Sequence, residues 1–153
     1  MIDEIVKPET DLEKKILSDE DFRKGITWGK PRKGHPEGQV MYHIGHVLKN
    51  VDLYSTPGNR EKLRLISIIH DSFKYKVDST KPKNGDNHHA VIARRFTEKY
   101  STDTELLEII ELHDEAYNAW CLGDRDGKWE QAESRAKKLI ERLGESLELY
   151  LIF

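Results

Sequence analysis

The sequence predicts an all-α fold, a single-domain bundle of about six or seven helices, and three observations carry that prediction. Apolar residues recur at three- and four-residue spacings in most segments between the glycines and prolines. No alternating apolar and polar stretch of useful length reads as a strand. At 153 residues the chain is long enough for one sizeable core and too short for two, so 1–153 reads as one domain.

Each element follows from local signals. Leu12, Ile16, Leu17 and Phe22 lie at helical spacing behind Thr10, an N-cap candidate, and predict a first helix over 10–24. Residues 25–38 hold four glycines and two prolines, with Trp28 and Arg32 among them, and predict a loop. A second helix runs over about 39–54 and is closed by Ser55-Thr56-Pro57-Gly58, after which Asn59 caps a third over about 60–73. The polar break 81–86 precedes helices over about 88–100 and 103–119, and the second of these opens on several caps and early acidic residues. Gly123 to Gly127 forms another loop, Trp129–Leu143 a sixth helix, and 145–153 begins a seventh. Trp120 and Trp129 read as core residues. The chain closes within the apolar run 147–153, so the last helix is expected to be cut short, and the apolar end 150–153 suggests self-association into a homo-oligomer.

Composition excludes several classes of function. Against 25 Lys+Arg stand 28 Asp+Glu, a net charge of -3, which removes the broad positive field used to grip a long nucleic acid. No run approaches the ~18 to 20 apolar residues of a membrane span. The N-terminus, Met-Ile-Asp-Glu-Ile-Val-Lys, lacks the order of a signal peptide, so a cytoplasmic protein without membrane contact is expected. Cys121, the single cysteine, excludes an intramolecular disulfide and a Cys-based zinc site.

Histidine is the oddity. There are seven, and six fall between His43 and His113. On the predicted helices His43 shares a stripe with Val40, Val47, Val51 and Tyr54, and His70 one with Leu63, Ile66 and Phe73. His89 lines up with Ile92 or Ala93, Phe96 and Tyr100, and His113 with Leu106, Ile110 and Tyr117. Any one of these reads most simply as a core histidine bonded to a backbone carbonyl. Four converging imidazoles each need a partner for a lone pair, and protonating them would bury like charges. One or two divalent transition metal ions answer all four. Nitrogen and oxygen donors without thiolate suit Mn, Fe, Zn, Co or Ni in preference to Mg. Asp71, in His70-Asp71 at the end of the third helix, supplies the carboxylate. A second dipeptide, His113-Asp114, shows that the pair alone carries little weight.

Together these residues resemble the HD-domain metal-dependent phosphohydrolase superfamily. His43-Ile44-Gly45-His46-Val47 resembles its first motif, a histidine with valine four residues on, and His70-Asp71 with Lys74 resembles the H-D-x-x-K form of the second. His89 with Ala93 is similar to the third motif, and His113 falls where members with a histidine-rich site place another ligand. His35-Pro36-Glu37-Gly38 is similar to the segment before the first histidine in HD domains attached to bacterial tRNA nucleotidyltransferases, although the nucleotidyltransferase part has no counterpart here. The resemblance spans 35–113, about half of the chain. His46 beside His43 and His88 beside His89 stay open as alternatives, and the superfamily's distal aspartate lies beyond residue 153 or is replaced by Asp114 or Asp124.

The resemblance implies hydrolysis of a phosphate ester of a small molecule, a nucleotide first among them, through metal-activated water. His43, His70 and Asp71 would hold one metal, and His89 and His113 a second, with Asp71 bridging. Lys74 would neutralise a phosphate oxygen, and Glu37 would partner the site or carry protons near the metal water, with solvated surface the equal alternative for each. Trp28 would stack on a base or pack under its loop. Lys76 and Arg94, with Lys81, Lys83 and Arg95, could hold a phosphate tail or remain solvated surface. A regulatory module that binds metal and nucleotide without turnover is the competing implication, and a core that merely contains histidines is a third.

Overall fold

Thr10, Asp19, His88 and Asp103 each cap a helix start through a side-chain acceptor, whereas Asn59, expected as a cap, turns its Oδ1 back to the Thr56 amide at 2.7 Å and makes no cap bond. The computed structural model describes residues 2–153. Its α-helices are α1 (Ile2–Val6), α2 (Asp11–Ser18), α3 (Glu20–Ile26), α4 (Val40–Tyr54), α5 (Arg60–Ile69), α6 (His89–Thr97), α7 (Thr104–Leu112), α8 (Glu115–Asp124), α9 (Trp129–Leu143) and α10 (Leu147–Ile152), with 3₁₀ turns at Lys74–Lys76, Gly85–Asn87 and Gly144–Ser146. The fold is all-α as predicted, and among the described residues the only β pairing is an isolated bridge between Arg32 and His35. No helix among the described residues is long and apolar enough to cross a membrane.

There are more segments than predicted because two expected helices are each split and because α1, before the first predicted helix, was not expected. The expected helix over 10–24 breaks at Asp19, whose backbone is extended and whose carboxylate accepts from the Phe22 amide at 3.1 Å, starting α3. A short acidic side chain that bonds the backbone locally competes with helix continuation. The expected helix over 103–119 breaks at His113 and Asp114, which lie between α7 and α8.

The central helix is α5. Every residue from Leu63 to Phe73 is buried, and α4 and α7 pack against it, while α6 packs on α7 and α9 on α8. The loop before α4 closes because Gly29 takes φ +117 and a Cβ there would lie 2.5 Å from the Gly38 carbonyl oxygen. The amide of Val40 then donates to the Trp28 carbonyl at 3.0 Å. Gly25 of α3 seats that helix directly on the turn after α5, since a Cβ there would fall 1.6 Å from the Ser72 carbonyl oxygen.

Three expectations are corrected. The core stripe of α4 is Val40, Met41, Ile44, Leu48 and Val51, which leaves His43 at its edge and Tyr54 exposed. Trp120 and Trp129 are surface residues: Trp120 tilts against Tyr117 on the outside of α8, and Trp129 lays its ring over Gly123 with its far side in solvent. Tyr150 is buried, its hydroxyl donating to the Leu112 carbonyl at 3.0 Å, so Leu151 and Ile152 are the exposed apolar residues of the last turn.

Candidate metal centre

Helix ends deliver the site. His70 is the C-cap of α5 with Asp71 next to it, His89 is the first residue of α6, and His113 is the C-cap of α7. His43 comes from the first turns of α4. The five side chains meet in two groups that share Asp71, namely His43, His70 and Asp71, and Asp71, His89 and His113.

Asp71 divides the cluster between its two oxygens. Its Oδ2 lies 3.6 Å from Nε2 of both His43 and His70, and those nitrogens are 3.3 Å apart. Its Oδ1 lies 3.5 Å from Nε2 of His89 and 3.4 Å from Nε2 of His113, and those nitrogens are 3.2 Å apart. A tetrahedral ion with ligands at about 2.1 Å spaces its donor atoms about 3.4 Å apart, so each group has the size of one coordination face.

Proton accounting points the same way. A backbone carbonyl only accepts, so His70 Nδ1, 3.0 Å from the Ser67 oxygen, and His113 Nδ1, 2.8 Å from the Ile110 oxygen, must carry the protons. Neutral His70 therefore aims the Nε2 lone pair at Asp71, and with its Nδ1 proton on a carbonyl His113 turns Nε2 to the same carboxylate. Within the described residues, His43 and His89 can each offer at most one proton to two acceptors. A divalent cation would satisfy what protons cannot. These buried His and Asp groups could hold metal.

Burial sets the charge states. It pushes His70 down to about 3, so that imidazole is neutral at ordinary pH, and it lowers His43 as well, against the opposing pull of Asp71. Burial would raise Asp71, but His70, His113, His89 and Lys74 around it outweigh that and hold the carboxylate ionised, well below its usual range. Lys74 Nζ sits 2.5 Å from Oδ2. Side-chain exposure grades from 5% at His70 to 33% at His43, so the cluster has a closed floor and an open side.

The site opens onto a groove of about 1040 Å³ whose walls include Lys74, His88, His89, Asp114 and Trp28. Trp28 is 41% exposed. Glu37 stands apart from the two groups, bonded to His35 Nδ1 at 3.0 Å, a bond that holds its carboxyl low. Lys76 pairs with Asp21 at 2.7 Å over the Phe73 and Tyr75 rings, and Arg94 is bound by Glu98, Glu108 and Glu111. Neither lines the groove. His46 is exposed on another face of α4, so the cluster contains His43 of that pair.

Of the candidates for a further aspartate, Asp124 is exposed at the end of α8, while Asp114 Oδ2 lies 3.5 Å from His88 Nε2 and 3.8 Å from His89 Nε2. His88 differs from His70 and His113. Its Nδ1 accepts from the Ala90 amide at 3.3 Å, so in the neutral form Nε2 carries the proton and faces Asp114 as a donor. The second His-Asp dipeptide thus belongs to the site. Its spacing on a continuous helix hid this, since only the break between α7 and α8 turns both side chains inward. Arg32, Arg125 and Lys138 also line the groove, and no sequence pattern marks them.

Fold and site define an all-α protein with a buried histidine and aspartate cluster able to bind metal. No family model matches the chain. No curated protein matches it, and no solved structure does.

Proposed function

We propose that the chain is a metal-dependent phosphohydrolase of the HD-domain type, cleaving a phosphate ester of a small molecule, with nucleotides the first class to test. One observation carries the reading: Asp71 presents a separate oxygen to each of two histidine pairs, the arrangement by which a carboxylate bridges two cations. Divalent ions held there would supply Lewis acidity, lowering the pKa of a water and screening charge on phosphoryl oxygens.

The chain's own residues do the rest. His43, His70 and Asp71 would hold one ion, and Asp71, His89 and His113 the other. His70 and His113 keep their Nε2 lone pairs because carbonyls occupy their Nδ1 protons. Lys74 fixes the orientation of Asp71 and has two further N–H donors for a non-bridging phosphate oxygen. Trp28 offers a ring face to a base. Glu37, gripped by His35, adds negative charge beside His43 and is the nearest proton carrier of the loop. Nitrogen and oxygen donors without thiolate favour Mn, Fe, Zn, Co or Ni.

The test is to purify the protein without added metal, measure bound metal by mass spectrometry, and assay nucleoside mono-, di- and triphosphates and an aryl phosphate with Mn or Co. Bound metal with turnover of at least one compound is expected. Absence of metal with the cluster intact overturns the reading, and metal without any turnover replaces it with a binding module.

A further inference from the structure

The groove over the metal centre carries a charge that the chain as a whole does not. The protein has net charge -3, yet seven basic and four acidic side chains line this groove. Two of the basic ones are structural: Arg135 is paired with Glu115, and Arg142 with Glu108 and Glu111. Lys74 is bound to Asp71. Four are left without a carboxylate partner among the described residues. Arg32, Lys83 and Lys138 make no ion pair, and Arg125 meets only neutral Tyr117, through its hydroxyl at 2.6 Å and its ring face. On the acidic side Glu111 and Glu115 are paired and Asp114 faces His88, which leaves Asp126 alone.

Unpaired like charges gathered in one cleft oppose folding, and such local violations mark ligand sites. The four cations come from four different elements: the loop before α4, the loop before α6, the end of α8, and α9. Two of the loops are braced. Arg32 is held by the reciprocal backbone bonds of its bridge with His35, at 3.0 and 2.9 Å. The Asn87 side chain ties the loop before α6 by bonding the Asp78 amide and the Asp78 and Pro82 carbonyls, and so sets the position of Lys83. Outside the groove carboxylates outnumber basic groups, so the chain as a whole lacks the broad positive field that grips a long polymer. The volume of about 1040 Å³ is at the upper end for a small-molecule site and far beyond what one phosphate fills.

We infer that the groove is a binding channel for an oligophosphate chain, three or more linked phosphates, leading away from the metal centre. The inference rests on the phosphohydrolase reading only for which end is cleaved, because binding can be measured without turnover.

Titration calorimetry on the full chain, as purified and again after EDTA, tests it with inorganic tripolyphosphate, orthophosphate and a nucleoside triphosphate. Tripolyphosphate is expected to bind at least tenfold more tightly than orthophosphate, with or without EDTA. The triple variant Arg32→Gln/Lys83→Gln/Lys138→Gln is expected to lose at least tenfold. The control Lys15→Gln/Lys24→Gln/Lys49→Gln, which removes the same charge elsewhere, is expected to stay within twofold, and circular dichroism checks that both variants fold. Equal affinity for the two inorganic anions, loss of binding with EDTA, or equal weakening in the two variants overturns the channel. A nucleoside triphosphate that binds tenfold better than tripolyphosphate, with the difference lost in Trp28→Ala, identifies a nucleotide as the source of the chain, whereas equal binding identifies an inorganic one. If tripolyphosphate binds as stated and no phosphate compound is turned over, the channel stands and the hydrolase reading falls. Turnover without the tripolyphosphate preference gives the reverse.

Discussion

Asp71→Asn tests the bridging geometry with the smallest change of shape. The amide keeps one carbonyl oxygen and no charge, so at most one histidine pair retains an oxygen donor and neither retains an anion. At a free metal concentration a hundredfold above the dissociation constant, each filled site stabilises the native state by about 2.7 kcal/mol. In a chain of this size 1 kcal/mol moves Tm by about 2 to 4 °C. Two groups sharing Asp71 therefore imply a metal-induced rise of about 10 to 20 °C, most of which Asp71→Asn should lose. The metal-free Tm should fall as well, because the buried Asp71 carboxylate loses its ion pair to Lys74, so the metal-induced rise is read against each variant's own metal-free Tm. Differential scanning fluorimetry across a Mn titration, with metal counted by mass spectrometry, reads both quantities. Two ions per chain and an undiminished Tm rise in Asp71→Asn would refute the bridge.

Acidification should destabilise the metal-free protein. Folded His70 is held near 3 while the unfolded residue titrates near 6.5, so the unfolded state takes up the proton first, and the stability present above 6.5 is lost as pH falls. About 2 kcal/mol should be gone at pH 5, read from urea midpoints, and an equal loss in His70→Asn would contradict the assignment. Glu13→Ala should cost about 1 to 3 kcal/mol, because it takes from the buried Arg64 guanidinium the carboxylate bound at 2.8 and 2.9 Å and leaves it only Glu9 at 3.1 Å and the Lys7 carbonyl. A measured cost below ~1 kcal/mol would refute that reading. Gly25→Ala should destabilise by about 1 to 3 kcal/mol and weaken metal binding, since the new Cβ must displace the Ser72 carbonyl beside Asp71. Native stability and native metal affinity in that variant would show that α3 does not support the site.

The fold class and the four converging histidines were legible because both rest on short-range rules. Helical spacing marks Leu63, Ile66 and His70 as one face whatever the rest of the chain does. What stayed hidden depends on partners distant in sequence. Arg94 and Lys76 look like free cations in the chain, and only tertiary packing brings Glu108, Glu111 and Asp21 to them. The surface positions of Trp120 and Trp129 were hidden for the opposite reason, since a large apolar ring reads as core unless the helix that would cover it is known to lie elsewhere. Arg32 and Lys138, 106 positions apart in sequence, meet at one groove only through the fold.

The helix breaks that the sequence pattern misses are what make the cluster possible. Inside a helix the carbonyls three and four residues back already accept from the backbone, so a histidine there competes for what acceptor capacity remains. At a C-cap those carbonyls lack helical partners, so His70 and His113 satisfy Ser67 and Ile110 with Nδ1–H and are left with Nε2 as a fixed lone pair aimed forward. Ending α7 at His113, about two turns before the end of the helix predicted over 103–119, thus completes a helix terminus and leaves Nε2 free as a candidate metal ligand with the same hydrogen bond. The same break turns Asp114 toward His88 and lets α10 close over the junction, where the Tyr150 hydroxyl takes the Ala116 amide and donates to the Leu112 carbonyl, while the Phe153 ring stands edge-on to His70 at 5.3 Å. Tyr150→Phe should therefore loosen the junction and lower metal affinity at the His89 and His113 pair more than at the His43 and His70 pair. Stepwise metal binding resolves the two, and equal weakening of both steps would show that the junction does not set His113.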